Sequence, residues 1–291
     1  KVALDAGNSV AGVELEPALL KLPQVEAIKL YFEPDGNFPN HMPNPLLRET
    51  LKDLQESVRS NKAELGLAYD GDADRVLMVD EKGGYVGGSV MTAYLAKYLL
   101  SVNKFKQKPV IIYTTVMSRI VPETIEKYGG RPVRSPVGHA IIKAKMKEEK
   151  ALFAGEHSGH FYFKKNYNAD SALIGTLMIL AAVSSDPRLV SEQLEEFKKY
   201  VQHEEISIKV EDRVGFIETV RKLVNEDKRN LLKKIVEGDG ITFEFEDYWF
   251  NLRPSGTEPV VRLNLEAYDA GKLDKVVKRV LEIVKKAGGN V

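Results

Sequence analysis

The sequence predicts an α/β chain, with two consecutive α/β domains on mixed, mostly parallel sheets and a C-terminal α+β domain on an antiparallel sheet. Two features of the pattern along its 291 residues point there. Up to about Tyr200, short apolar runs alternate with helix-spaced stretches, as in βαβ units. After Val201 the apolar residues recur at every second position, as in sheets with one solvated face. At roughly 150 residues per domain the length suits two or three domains. The changes of pattern place them at 1–88, 89–200 and 201–291.

Val2-Ala3-Leu4 is a strand that runs into the turn Asp5-Ala6-Gly7-Asn8. Leu47, Leu51, Leu54 and Val58 lie on one face of a helix over 46–58. Residues 65–69 and 76–79 are buried strands. The second region holds helix 90–100, strand 110–113, helix 120–128, a strand near Val133, helix 140–150, strand 151–154 and helix 171–183. Asp186-Pro187 and the charged run after Ser191 mark a helix leading into a linker. In the third region Ile206, Ile208 and Val210 alternate with polar residues, as do Ile241, Phe243 and Phe245, and then Val261, Leu263 and Leu265. Helices 216–225 and 272–286 frame these strands. The second carries Leu273, Val276, Val277, Val280, Leu281 and Val284 on one stripe and stops at Gly288-Gly289.

Lysine plus arginine total 42, as do aspartate plus glutamate, so the formal net charge is zero. That excludes the basic excess of a nucleic-acid scaffold or an anionic-membrane binder, while leaving room for a basic pocket around one small anion. There are no cysteines, which excludes disulfides, thiolate zinc sites and cysteine nucleophiles. No apolar run approaches the ~18 residues of a membrane span, and no signal-peptide pattern opens the chain. A cytoplasmic protein is expected. A strand begins at Val2 with no methionine before it, which predicts a piece of a longer protein.

Three loops carry chemistry. Asp70-Gly71-Asp72-Ala73-Asp74-Arg75 follows an apolar strand. Its three carboxylates repel one another, and a divalent cation is the natural counter-charge; oxygen ligands alone select Mg²⁺, Mn²⁺ or Ca²⁺ over zinc. An EF-hand is excluded, since Arg75 stands where that loop needs glycine and a strand follows at Val76. Arg75 would neutralise a phosphoryl oxygen beside the metal; the plainer alternative is a solvated acidic turn with Arg75 paired to a neighbour.

The second loop is Gly155-Glu156-His157-Ser158-Gly159-His160, whose donors and acceptors suit vicinal sugar hydroxyls or make a polar turn. A metal role for His157 and His160 is disfavoured because no carboxylate at zinc spacing accompanies them. The third is Arg253-Pro254-Ser255-Gly256-Thr257-Glu258-Pro259, between two strands. A guanidinium, two hydroxyls and free backbone N–H groups around a glycine form a nest for a phosphate monoester; a plain hairpin turn is the alternative. Arg262, on the polar face of the next strand, either reaches the same anion or, as the better reading, is solvated. In Ser135-Pro136-Val137-Gly138-His139, His139 sits near a helix start, as an acid, a base or a turn residue. Asn37-Phe38-Pro39-Asn40-His41-Met42-Pro43 is a stiff loop without evident chemistry.

Together these loops resemble the α-D-phosphohexomutase family, the phosphoglucomutase/phosphomannomutase enzymes, in order and spacing from Lys1 to the C-terminal helix. Asp5-Ala6-Gly7-Asn8-Ser9-Val10-Ala11-Gly12 is similar to the opening of the family's second domain, with Ser9 in place of a common glycine. Asp35-Gly36-Asn37-Phe38-Pro39-Asn40-His41 resembles another marker of that domain. The Asp70 segment resembles the family's metal loop, the Gly155 segment its sugar-recognition loop, and the Arg253 segment the phosphate-binding loop of its fourth domain.

The resemblance implies an intramolecular phosphotransferase. A phosphoserine gives its phosphoryl group to a hexose 1- or 6-phosphate of glucose or mannose, and the bisphosphate intermediate returns the other phosphate to the serine. It implies Mg²⁺ as cofactor on Asp70, Asp72 and Asp74. It places Glu156, Ser158 and His160 on the sugar, and Arg253, Ser255, Gly256 and Thr257 on the non-reacting phosphate. Arg75, His139 and His160 are the implied catalytic groups. The family's Thr-Ala-Ser-His-Asn-Pro loop has no counterpart here, so the chain resembles domains two to four. The implied partners are the hexose phosphate and a missing N-terminal domain that bears the catalytic serine, with neither nucleic acid nor membrane. Little or no mutase activity is expected of this polypeptide by itself. Val116-Met117-Ser118-Arg119 lacks a lysine that some members carry. Two other readings are a haloacid-dehalogenase-like sugar phosphatase, against which the absence of Gly-Thr after Asp70-Gly71-Asp72 counts, and a non-catalytic sugar-phosphate-binding module.

Overall fold

The computed structural model describes residues 1–227, 232–256 and 258–290. It divides into two units, Lys1–Arg134 with Gly138–Phe197, and Ser135–Val137 with Lys198–Val291.

The first unit opens with a sheet of β1 (Val2–Asp5), β2 (Ala27–Leu30), β3 (Leu65–Tyr69), β4 (Val76–Asp80) and β5 (Tyr85–Val86), ordered β2-β1-β3-β4-β5. β1 is parallel to β2 and β3, whereas β3-β4 and β4-β5 are antiparallel. Every residue of β1, β3 and β4 is buried, which is why each reads as an almost unbroken apolar run. Helices α1 (Ala11–Leu19) and α2 (Lys52–Asn61) belong to this part. Leu54 and Val58 of α2 pack with Ala3, Leu51, Ala63, Ala68 and Val79.

The helix expected over 46–58 starts later. A 3-10 turn at Arg48–Leu51 precedes α2; its tighter winding leaves Leu47 40% exposed while Leu51, Leu54 and Val58 stay inside. α1 was not foreseen, because Pro17 interrupts its pattern and Val13 points outward. Nor was β2, a half-buried strand at the sheet edge that carries Lys29.

α3 (Gly88–Val102) leads to a second sheet of β6 (Val110–Thr114), β7 (Arg131–Ser135), β8 (Phe153–Gly155), β9 (Phe161–Phe163) and β10 (Ala169–Asp170), ordered β10-β9-β8-β6-β7. α4 (Ile120–Lys127), α5 (His139–Glu149) and α6 (Ala172–Ser184) accompany it. β6 and β8 are parallel, while β8-β9 and β9-β10 are antiparallel. Both sheets are therefore mixed. Their antiparallel share arises where 70–75 and 156–160, each following a strand, turn the chain back as hairpins instead of leading into a helix. Contacts tie the first sheet to the helices of the second part: the buried Tyr69 hydroxyl lies 2.8 Å from Thr176 Oγ1 of α6, and Glu81, just after β4, accepts the N–H and hydroxyl of Ser191. Ser191 belongs to α7 (Val190–Gln193), which continues into a 3-10 turn at Glu195–Phe197.

The second unit is a six-stranded antiparallel sheet of β11 (Val201–Gln202), β12 (Ile206–Lys209), β13 (Lys234–Gly238), β14 (Gly240–Glu244), β15 (Tyr248–Pro254) and β16 (Val260–Ala267). α8 (Arg213–Glu226) and α9 (Ala270–Lys286) bury Phe216, Val220, Leu273, Val276, Val280 and Val284 in one core with Phe243, Phe250, Leu252 and Leu263. Each helix starts on an aspartate cap. Asp212 accepts the N–H groups of Val214 and Gly215, and Asp269 that of Lys272. No helix among the described residues is long and apolar enough to cross a membrane.

Leu54 is fully buried, and its side chain lies so close to Gly66 that a Cβ there would meet Leu54 Cδ1 at 2.8 Å. Leu54→Ala is expected to lower stability by about 2–5 kcal/mol, read from urea unfolding. A loss well under 1 kcal/mol would show that α2 is not packed as described.

Candidate functional site

Asp70 directly follows β3 with its carboxylate buried, and that carboxylate shapes the turn to β4. Its Oδ1 accepts the backbone N–H of Asp74 at 3.1 Å and of Arg75 at 3.0 Å, while Oδ2 accepts Arg75 Nε at 2.5 Å. The turn carries Ala73 in the left-handed region at φ +59°, unusual for a residue with a side chain. One oxygen each of Asp70, Asp72 and Asp74 then lies within 4.8 Å of the others, so the three aspartates singled out as ligands do converge. A hydrogen bond with Asp70, burial and the charge of Asp70 push the Asp72 carboxyl above its ordinary range. Crowded carboxylates of this kind favour a hard cation among them.

The second hairpin meets the first. Arg75 and His160 form an antiparallel bridge, and the Val76 N–H donates to the Gly159 carbonyl at 3.1 Å. Glycine is required at two contacts here. A Cβ at Gly159 (φ +94°) would lie 2.9 Å from the Val76 oxygen, and one at Gly88 would lie 2.3 Å from the His157 oxygen. The 156–160 turn thus sits against both the aspartate turn and the start of α3. His160 Nε2 is 3.2 Å from Asp74 Oδ1, and its Nδ1 is 2.7 Å from Ser158 Oγ and 3.2 Å from Glu156 Oε2. Glu156, itself buried, also accepts the Tyr162 hydroxyl at 2.8 Å and the Gly138 N–H at 3.4 Å.

Burial opposes charge on Glu156, but hydrogen bonds from His160 and Tyr162 outweigh it and hold the carboxyl below its ordinary range. Burial likewise opposes the His160 cation; Asp74 and Glu156 overcome it and raise the imidazole to about 9. The absence of a carboxylate at zinc spacing in the sequence was therefore no guide to the surroundings of His160. Asp74, remote in the chain, and Asp170, ten residues on in β10, each bring an oxygen within 4.8 Å of one of its nitrogens. His139 begins α5 and is exposed; its neighbour Gly138, not its imidazole, reaches Glu156. Tyr162 and Asp170 were missed. The one sequence signal for Tyr162 is a tyrosine between two phenylalanines, and Asp170 lies in a two-residue strand with no pattern of its own.

The third turn joins β15 to β16. Arg253 is half-buried, with guanidinium nitrogens 3.7 Å from Glu205 and 3.9 Å from Asp239. Several backbone N–H groups expected to be free are taken up within the turn: Ser255 donates to Val260, Val260 to Glu258, and Glu258 to Ser255 Oγ. A hairpin this short closes on itself. Arg213 adds hydrogen bonds to the carbonyls of Ser255 at 2.5 Å and Glu258 at 3.3 Å. Gly256 is exposed, with open space where a Cβ would lie, and Thr257 lies outside the described residues. Arg262 is not the solvated group expected, because it pairs with Glu258, Glu205 and Ser207 on its own face of the sheet.

The loop over 37–43 also has a role that its sequence did not disclose. His41 Nε2 lies 3.2 and 3.1 Å from the two oxygens of buried Asp5, and Asn40 donates to Asn8 at 2.7 Å. Pro43 packs against Gly7 and approaches Gly71 of the aspartate turn.

Residues 1–84 match the family model described as phosphoglucomutase/phosphomannomutase, alpha/beta/alpha domain II; residues 87–200 match domain III and residues 205–283 the C-terminal domain. The chain belongs to the phosphoglucomutase/phosphomannomutase family. The matches are to domains II, III and IV, with none to domain I. A phosphomannomutase of Methanocaldococcus jannaschii is 40% identical over 286 residues, which is 98% of this chain and 62% of that protein. One from Vibrio cholerae is 36% identical over 293 residues, again 98% of this chain and 62% of the relative. The crystal structure of a phosphoglucomutase/phosphomannomutase family protein from Burkholderia thailandensis superposes with a TM-score of 0.87 at 31% identity, over 99% of this chain and 60% of that one. This family member thus spans about three fifths of the length of the relatives it matches. The two mixed sheets and the antiparallel C-terminal sheet are those of the phosphohexomutase fold.

In this phosphoglucomutase/phosphomannomutase family member, the hydrogen bond to Asp5 raises His41 from the ordinary 6.5 to about 8, against the opposing effect of burial; the Met42 carbonyl and the charges of Asp5 and Asp53 assist. A pKa raised by folding adds stability that is whole below about pH 6.5 and lost as the pH rises through about 8. Urea unfolding between pH 6 and 9 should show a decline, to which His160 also contributes, and His41→Gln should lessen it by on the order of 1 kcal/mol. Parallel profiles for the two proteins would rule out the pairing.

Proposed function

We propose that this chain is the metal-, sugar- and phosphate-binding part of a phosphohexomutase that interconverts hexose 1-phosphate and hexose 6-phosphate of glucose or mannose. The observation that carries the reading is the meeting of two hairpin turns, in which His160 links Asp74 of the acidic turn to Glu156 and Ser158. The names of the relatives, phosphomannomutases, support it.

In this reading Asp70, Asp72 and Asp74 hold Mg²⁺, and the donor set suits it, being three carboxylates that crowd one another. When bound, the ion supplies positive charge beside a transferring phosphoryl group. Arg75, anchored on Asp70 through Nε, turns its other N–H groups to phosphoryl oxygens. Glu156 and Ser158 hold the sugar hydroxyls, and His160 and His139 serve as sugar contacts or proton-transfer groups. Arg253, Ser255, Gly256 and Thr257 grip the phosphate that does not react and so fix the substrate's position. The phosphoserine belongs to a first domain outside these residues. Domains of 1–88, 89–200 and 201–291 and a cytoplasmic setting complete the proposal.

Calorimetry and a coupled mutase assay test it. The chain should bind Mn²⁺ or Mg²⁺, and Asp72→Ala should weaken that binding at least about tenfold. Arg253→Ala should weaken glucose 1-phosphate by about ten- to a hundredfold. Interconversion should be absent until a serine-bearing first domain is supplied. Turnover by this polypeptide alone would refute the dependence on that domain. Net release of inorganic phosphate would point instead to a phosphatase. Hexose phosphate binding that survives loss of the metal, with no activity even beside a restored first domain, would point to a binding module.

A further inference from the structure

β9 reads Phe161-Tyr162-Phe163, and all three residues are buried. Phe161 and Phe163 both approach the ring of Phe153. Tyr162, by strand alternation, faces the other way, into a cluster with Val110, Ile112, Ile142, Met146 and Ala154, where it has no solvent exposure. A phenylalanine would fill that space equally well. The hydroxyl is what packing does not require, and a buried hydroxyl is costly unless it is bonded.

Its partner is Glu156, 5% exposed, whose Oε2 it reaches at 2.8 Å. The other donors to this carboxylate are weaker or shared. Gly138 reaches Oε1 at 3.4 Å, and His160 Nδ1, at 3.2 Å from Oε2, lies closer to Ser158 Oγ at 2.7 Å. Tyr162 therefore makes the shortest hydrogen bond to Glu156, from a strand that cannot shift without disturbing the aromatic core.

We infer that Tyr162 is a positioning residue: it clamps Glu156 Oε2 from beneath the sheet and so leaves Oε1 turned toward the hydroxyls of a bound hexose phosphate. This rests on the reading of Glu156 as the acceptor of sugar hydroxyls. Tyr162 does not touch the sugar itself. It acts by removing the freedom of a carboxylate that would otherwise be held by one shared imidazole and one long contact.

Tyr162→Phe removes the one oxygen and keeps the ring, so thermal unfolding should shift by only a few degrees. Calorimetric titration of the chain and of this variant with glucose 1-phosphate should show about tenfold weaker binding in the variant. Binding of inorganic phosphate, which contacts no sugar-site carboxylate, should be unchanged. Equal affinity for glucose 1-phosphate in the two proteins would overturn the proposal, as would equal weakening for both ligands, the mark of a merely structural effect. If the unaltered chain binds inorganic phosphate but shows no preference for glucose 1-phosphate, the sugar-site reading itself falls, and the proposal with it. A second measurement does not depend on that variant. The Tyr162 hydroxyl proton, slow to exchange and shifted downfield by its carboxylate acceptor, should move upfield in Glu156→Gln. An unmoved resonance would also overturn the proposal.

Discussion

The buried carboxylate of Asp70 is the constraint on which the acidic turn depends. A charge at the dry end of a strand is tolerated only when every lone pair in reach has a donor. Here two backbone N–H groups and the Arg75 guanidinium supply them. Those same bonds draw the backbone into a coil tight enough to place Ala73 at positive φ and to bring Asp72 and Asp74 back beside Asp70. Arg75 then does two things at once. Its side chain neutralises Asp70, and its backbone pairs with His160, which joins the acidic turn to the turn that carries Glu156 and Ser158.

A shared device underlies the chemistry-bearing segments: each is the turn of an antiparallel hairpin. The two strands of a hairpin hold the ends of the turn about 5 Å apart, so little loop entropy opposes the fixing of its side chains. Rigid ends also explain the close backbone approaches at Gly88 and Gly159. Neither neighbour can retreat, and only a residue without a Cβ fits.

Charge in the second unit is arranged differently. Arg253 lies between Glu205 and Asp239, and Arg262, its partner across the ladder, is bound to Glu258, Glu205 and Ser207. Two guanidinium groups side by side are thus neutralised by carboxylates from their own sheet and turn. An anion that engaged Arg253 would compete with Glu205 and Asp239, each more than 3.5 Å from it and so loosely held.

Much of this protein was legible in residue order alone. The fully buried strands announced themselves as apolar runs, α9 as a stripe, the C-terminal sheet as alternation, and the aspartate, Glu156 and Arg253 segments as clusters too polar to be ordinary connections. These are local signals, set by the periods of helix and strand and by repulsion between near neighbours in the chain. What the order of residues did not disclose depends on the path the chain takes between partners, whether they are far apart in it, as Asp74 and His160 are, or a few residues apart across a hairpin, as Glu156 and Tyr162 are. The hairpin nature of the first two turns, the Asp5–His41 pair, Asp74 and Asp170 beside His160, the ion pairs of Arg262 and the hydroxyl of Tyr162 on Glu156 all join segments whose proximity has no periodic trace. Local sequence therefore determined which groups are available; tertiary packing decided which of them meet, because a buried polar group gains a donor or acceptor only where the fold brings one within reach.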